Sequence, residues 1–184
     1  MPATVLFIQG SGDMHHAEGS IHLARYLERE LGDDVRVLAP EMPDAENPGH
    51  ERWRAAFEEH LAAIEGPILI VGHSLGASTV LKTLSKSAAP PGLRGLFLVE
   101  TPWWEPEGWS AEYAVPDDVA DHLPDVPIFL YHSTEDPEVP FGHLDLYRSR
   151  LPNATAREIS GSEHSFIHGL PQLVADIREV VRSM

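Results

Sequence analysis

Five short runs in this chain are almost continuously apolar: Thr4–Ile8, Val35–Leu38, Ile68–Val71, Gly95–Val99 and Ile128–Tyr131. A strand with one wet face alternates apolar and polar residues, whereas a strand covered on both faces does not. The runs therefore read as strands of a sheet buried on both sides, which is how parallel sheets are built. A sixth and weaker run spans Ala154–Ile159. Helical spacing fills the intervals. Ile21, Ala24, Leu27 and Leu31 form one stripe, and Trp53, Phe57, Leu61 and Ile64 form another. A third helix begins near Leu75, and Leu144, Tyr147 and Leu151 mark a fourth. The cleanest stripe runs from Leu170 through Leu173, Val174, Ile177, Val180 and Val181 to Met184. Strands alternating with helices predict an α/β three-layer sandwich: a mostly parallel six-stranded sheet with helices on both faces.

The chain has 184 residues, a length that fits one domain, and no repeat or low-complexity linker divides it. The segment Thr101–Val126 fits the pattern least. It is rich in Pro and Trp, has no sustained period, and reads as an irregular excursion with one short helix near Asp117–His122. Thirteen Lys and Arg stand against 29 Asp and Glu, a formal charge of −16. That balance repels phosphate backbones and anionic lipid surfaces, so neither nucleic acid nor membrane is an expected partner. No apolar run approaches the ~18 residues of a membrane span. Met1-Pro2-Ala3-Thr4 lacks the basic start of a signal peptide, and the expected location is cytoplasmic. With no Cys, the chain has no disulfide, thiolate metal site or Cys nucleophile.

The third run leads into Gly72-His73-Ser74-Leu75-Gly76, a G-x-S-x-G with a strand before it and a helix after. Such a turn is too sharp for side chains at the flanking positions, hence Gly at both. It lifts the Ser74 hydroxyl above the sheet edge and sets it at a helix N-terminus, where free N–H groups favour developing negative charge. A hydroxyl is a weak nucleophile until a base takes its proton. Candidates for acid and base follow in chain order. Asp136 lies in the turn after Ile128–Tyr131, stiffened by Pro137 and Pro140, with Glu135 as its rival. His164 lies in the Gly-containing loop after Ala154–Ile159, with His168 as its rival. For an oxyanion hole, the Leu75 N–H is one donor and the Ser11 N–H, in Gln9-Gly10-Ser11-Gly12-Asp13, is the second. That Gly-rich loop lacks the third Gly and the acidic partner of a dinucleotide fingerprint.

Other clusters are read more plainly. Asp13, His15, His16 and His22 match no zinc spacing, and no metal or other cofactor is expected. Glu58, Glu59 and Glu65 are a solvated helix face, and His73 helps the turn rather than the chemistry. Trp103, Trp104 and Trp109 either line a substrate pocket over Ser74 or simply pack.

At these residues the chain resembles the α/β-hydrolase superfamily, and more closely the small serine hydrolases related to retinoblastoma-binding protein nine. The likeness covers nearly the whole chain: Gln9-Gly10-Ser11-Gly12, the stretch Ala39-Pro40-Glu41-Met42-Pro43-Asp44, Trp53, Gly72–Gly76, Asp136 and His164. It implies a compact six-stranded parallel sheet with no large cap domain and no cofactor. The Trp-rich excursion departs from that pattern. The expected activity is hydrolysis of carboxylic esters by Ser74, His164 and Asp136 through an acyl-enzyme, with a small-molecule ester as substrate. An acyltransferase or thioesterase could use the same triad, and a hydrolase-shaped protein-binding module is the rival of another class. No protein partner is identified by the sequence.

Overall fold

The computed structural model describes residues 2–107 and 110–184. Its strands are β1 (Ala3–Ile8), β2 (Val35–Leu38), β3 (Ile68–His73), β4 (Leu93–Val99), β5 (Ile128–Ser133) and β6 (Thr155–Ile159). Its helices are α1 (Ile21–Leu31), α2 (His50–Ala62), α3 (Leu75–Leu84), α4 (Val119–His122), α5 (Gly142–Arg150) and α6 (Pro171–Arg182). The strands form one sheet in the order β2-β1-β3-β4-β5-β6. Every pairing is parallel, so the sheet expected to be mostly parallel is entirely so.

Residues of alternate parity along each central strand enter different cores, which is why the runs show no polar alternation. Val5 and Phe7 of β1 join Val71, Phe97 and Val99 under the apolar stripes of α1 and α6. Leu6 and Ile8 join Ile70, Leu96 and Leu98 under α2, α3 and α5, with Trp53 and Phe57 fully buried among them. The register sets Phe7 beside Val71, Val71 beside Phe97 and Phe97 beside Phe129 across the sheet. The Phe97 and Phe129 rings stack with centroids 5.1 Å apart.

The chain leaves β1 toward β2 on one side and continues from β3 to β6 on the other. Loops following β1 and β3 therefore diverge at the carboxyl edge of the sheet, the usual position of a ligand crevice in open α/β sheets. The excursion after β4 holds a 3-10 turn at Ala111–Tyr113 and the short helix α4, close to the expected place. Tyr113 and Val119 are buried in the α2–α3 side of the core, so the segment is irregular but packed. Among the described residues, no helix is long and apolar enough to cross a membrane.

Candidate active site

β3 ends at His73 and α3 begins at Leu75, leaving Ser74 alone to make the turn. Ser74 holds φ +51° and ψ −121°, a backbone conformation rare for a residue with a side chain. The flanking glycines are steric necessities. A Cβ on Gly72 would lie 2.6 Å from Ala77 Cα, and one on Gly76 would lie 2.3 Å from the carbonyl oxygens of Ile8 and Gln9. The start of α3 thus crosses β3 and the end of β1 too closely for any other residue. Ser74 N–H donates to the Val99 carbonyl at 2.8 Å, which anchors the strained turn to the neighbouring strand.

Asp136 and His164 meet in front of this edge. His164 Nδ1 donates to Asp136 Oδ2 at 2.8 Å, which leaves Nε2 as the nitrogen able to accept a proton. The other Asp136 oxygen accepts the N–H groups of Glu138 at 2.7 Å and Val139 at 3.0 Å. Burial alone would push the Asp136 carboxyl up; the hydrogen bond from His164, then the neighbouring Glu100 and the N–H groups of Val139 and Glu138, hold it well below the usual carboxylate range. Glu135 is exposed, and its N–H donates to the Gly161 carbonyl at 2.9 Å; His168 is also exposed. The loops carrying Asp136 and His164 are laced together: Thr134 N–H donates to the Ile159 carbonyl at 2.8 Å, and Ser133 Oγ donates to the Glu163 carbonyl.

His73 does more than shape the turn. It is buried, and its Nε2 donates to the His164 carbonyl at 2.9 Å. Its Nδ1 accepts from Ser20 Oγ at 2.8 Å, and Ser20 Oγ in turn accepts the Gly10 N–H at 2.9 Å. One relay therefore ties together the loops after β1, β3 and β6. Burial, helped by the nearby His164, pushes the His73 imidazole down to about 3, so it stays neutral and serves as one donor and one acceptor. Neither Ser20 nor Glu100 carried a sequence signal; both lie outside any motif.

A family model described as serine hydrolase matches residues 9–164. This chain belongs to that serine hydrolase family. Its fold is shared with the ydeN gene product of B. subtilis, at a TM-score of 0.77 and 19% identity over 98% of each chain. The esterase RhEst1 from Rhodococcus sp. matches at a TM-score of 0.70 and 17% identity, covering 100% of this chain and 90% of that one. Est1E from Butyrivibrio proteoclasticus, with ferulic acid bound, matches at 0.70 and 15% identity, covering 100% and 89%. No curated protein matches the chain in sequence. These comparisons support the hydrolase resemblance but do not single out relatives of retinoblastoma-binding protein nine.

In this serine hydrolase the loop after β1 is braced by Gln9. Its amide donates to the carbonyls of Gly10 at 3.2 Å and Gly12 at 3.1 Å and accepts the Met42 N–H at 2.9 Å. The N–H groups flanking Ser11 are committed, Gly10 to Ser20 and Gly12 to the Ala45 carbonyl at 2.7 Å. Leu75 opens α3, so its N–H has no partner within the helix. Trp103 and Trp104 are half-buried against the core. Trp104 Nε1 donates to Ser78 Oγ at 2.8 Å, one helical turn beyond Ser74, while Trp103 meets Tyr147 edge-on at 5.2 Å. Trp109 lies outside the described residues. A shallow cleft of about 200 Å³ borders His164, and a neighbouring one of about 270 Å³ borders Ser11. Both are rimmed by Glu18 and Glu138, and the second also by Asp13 and Glu46. The Glu138 carboxylate comes within 3.6 Å of His164 Nε2.

The polar residues near the N-terminus do not gather as ligands: His15 pairs with Glu41 at 2.7 Å, and Asp13 accepts the His15 N–H. Glu100, His132 and Asp136 do converge, with an atom of each within 4.8 Å of the others. His132 is already engaged, whereas Glu100 Oε2 accepts no hydrogen bond. His132 Nε2 donates to the Val139 carbonyl at 2.9 Å, so that nitrogen carries a hydrogen and offers no lone pair to a cation.

Proposed function

We propose that the chain hydrolyses carboxylic esters through Ser74, His164 and Asp136. The Asp136–His164 hydrogen bond carries the reading. It joins two loops to each other, and His73 ties the base to the strand end that presents Ser74. In the reaction, Ser74 Oγ attacks the acyl carbon while His164 Nε2 takes its proton. Asp136 holds the imidazole in the right tautomer and stabilises the imidazolium without taking the proton itself. The Leu75 and Ser11 N–H groups donate to the oxyanion. His164 then protonates the leaving alcohol, and water, deprotonated by the same imidazole, releases the acid from the acyl-enzyme.

The acidic rim and the aromatic excursion suggest the substrate. Glu18, Glu138, Asp13 and Glu46 repel an anionic ester approaching His164. Trp104, held to Ser78 on α3, offers apolar surface one helical turn from Ser74. Neutral esters with small or apolar acyl groups fit best. The test is labelling by a fluorophosphonate together with turnover of a panel of neutral esters, with and without competing alcohols. Labelling at Ser74 with free acid as product is expected. A folded Ser74→Ala variant that keeps its activity overturns the mechanism, and transfer to added alcohol in place of hydrolysis turns the reading to an acyltransferase.

A further inference from the structure

Glu100 follows β4, one strand away from the one carrying Ser74. Its side chain is 0% exposed. Its backbone has φ +49°, a left-handed conformation that is unfavourable for a residue with a Cβ. The position therefore holds an acid where both burial and backbone disfavour one. Its Oε1 accepts the Ser133 N–H at 2.7 Å. Its Oε2 lies 3.2 Å from His132 Nε2, but that hydrogen already points to the Val139 carbonyl. With no proton on Glu100, Oε2 has no hydrogen bond of its own. The other neighbour is the Asp136 carboxyl.

Two ionised carboxyls cannot share one buried site; one of them keeps a proton. Asp136 is not that one, because it accepts from His164 Nδ1 and from two backbone N–H groups. We propose that Glu100 is a neutral carboxylic acid whose hydroxyl donates to Asp136, making it a positioning residue that fixes the acid on which His164 depends. The inference rests on the catalytic reading above. Burial, then the contact with Asp136, pushes the Glu100 carboxyl up to about 10, in line with this placement. His132 is kept neutral by burial and His143 on α5 is pushed down likewise; Ser133, through its N–H to Oε1 and its side chain, pulls the other way and is outweighed by burial and Asp136. A neutral Glu100 supplies a donor to Asp136 without placing a second negative charge beside the imidazole, so the charge that His164 meets is that of Asp136 alone.

The test compares Glu100→Gln with Glu100→Leu. Gln keeps both roles, its oxygen accepting from Ser133 and its amide donating to Asp136, and should hold kcat within about threefold of wild type. Leu fills the space but donates nothing, and should lower kcat about 10- to 100-fold with KM little changed. Infrared difference spectra of wild type against Glu100→Gln, taken near neutral pH, should contain one buried carboxylic-acid carbonyl band that shifts in D2O. The melting temperature of Glu100→Gln should rise relative to wild type between about pH 6 and pH 9, because only wild type must keep an acid protonated there. These last two readouts need no turnover and do not depend on whether Leu folds. Absence of the band, or a Gln variant as impaired as Leu, overturns the proposal. So does activity lost to a chelator and restored by a divalent cation, which would make the cluster a metal site. If the band is present but Ser74 takes no fluorophosphonate, the catalytic reading fails while the proton on Glu100 stands.

Discussion

His73 and Glu100 brace the same edge of the sheet from neighbouring strands, and the two do it in different ways. His73 reaches the backbone of the base loop, donating to the His164 carbonyl, and its other nitrogen ties in Ser20. Glu100 reaches a side chain, the Asp136 carboxyl, from a strained backbone. Burial pushes one group down to about 3 and the other up to about 10. The direction differs because burial penalises whichever form is charged, the protonated imidazole in one case and the ionised carboxyl in the other. Both end neutral. The lesson is that His164 is held by a relay fixing where its loop lies, whereas Asp136, in the proposed reading, is held by a proton on Glu100.

Replacing the nucleophile removes what both braces serve. Ser74→Ala should fold and lose about 10⁶-fold in kcat, with fluorophosphonate labelling abolished. Asp136→Asn tests the acid arm. It should cost about 10⁴-fold in kcat by favouring the wrong imidazole tautomer, whereas Glu135→Gln, at an exposed position, should cost no more than about threefold. The opposite ranking in steady-state kinetics would move the acid to Glu135. On the base arm, His73→Phe leaves Ser20 Oγ and the His164 carbonyl without their partner. Stability should fall by about 1–3 kcal/mol in denaturant titration, with a smaller kinetic loss than Asp136→Asn.

The pH dependence of stability sharpens the contrast within the carboxyl pair. Asp136, held low, contributes stability that is present above the ordinary carboxylate range and is lost as pH falls below it. Glu100, held high, contributes stability that is complete below its ordinary value of 4.5 and is lost as pH rises toward about 10. Wild type should therefore soften on the alkaline side, and the Glu100→Gln variant should lack that slope; melting temperatures across pH check it. The smallest effect concerns the acidic clefts. A short neutral ester should exceed a hemisuccinate ester in kcat/KM by roughly tenfold at low salt, and by less as salt screens the rim.

Much of the architecture was legible in the sequence. Apolar runs without alternation mark strands covered on both faces, and the stripes of α1 and α6 mark what covers one of them. β6 was the faintest because it is an edge strand with no fully buried residue. The site was legible where chemistry requires a residue type at a chain position. Gly72 and Gly76 are required by contacts within the strand–turn–helix unit and the adjoining strand. Asp136 and His164, which the structure brings within 2.8 Å of each other, were singled out because each follows its own strand.

The sequence by itself determined the layered sheet, the turn that exposes Ser74 and the loops from which its partners come, because these depend on hydrophobic period and local sterics. Only the tertiary structure decided which polar groups touch. His73 bonds a residue 91 positions away, and Glu100 meets Ser133 from 33 positions away. No short-range pattern encodes such pairs. The same Glu on a wet surface would be an ordinary carboxylate, and it is burial beside Asp136 that leaves it no room for a charge.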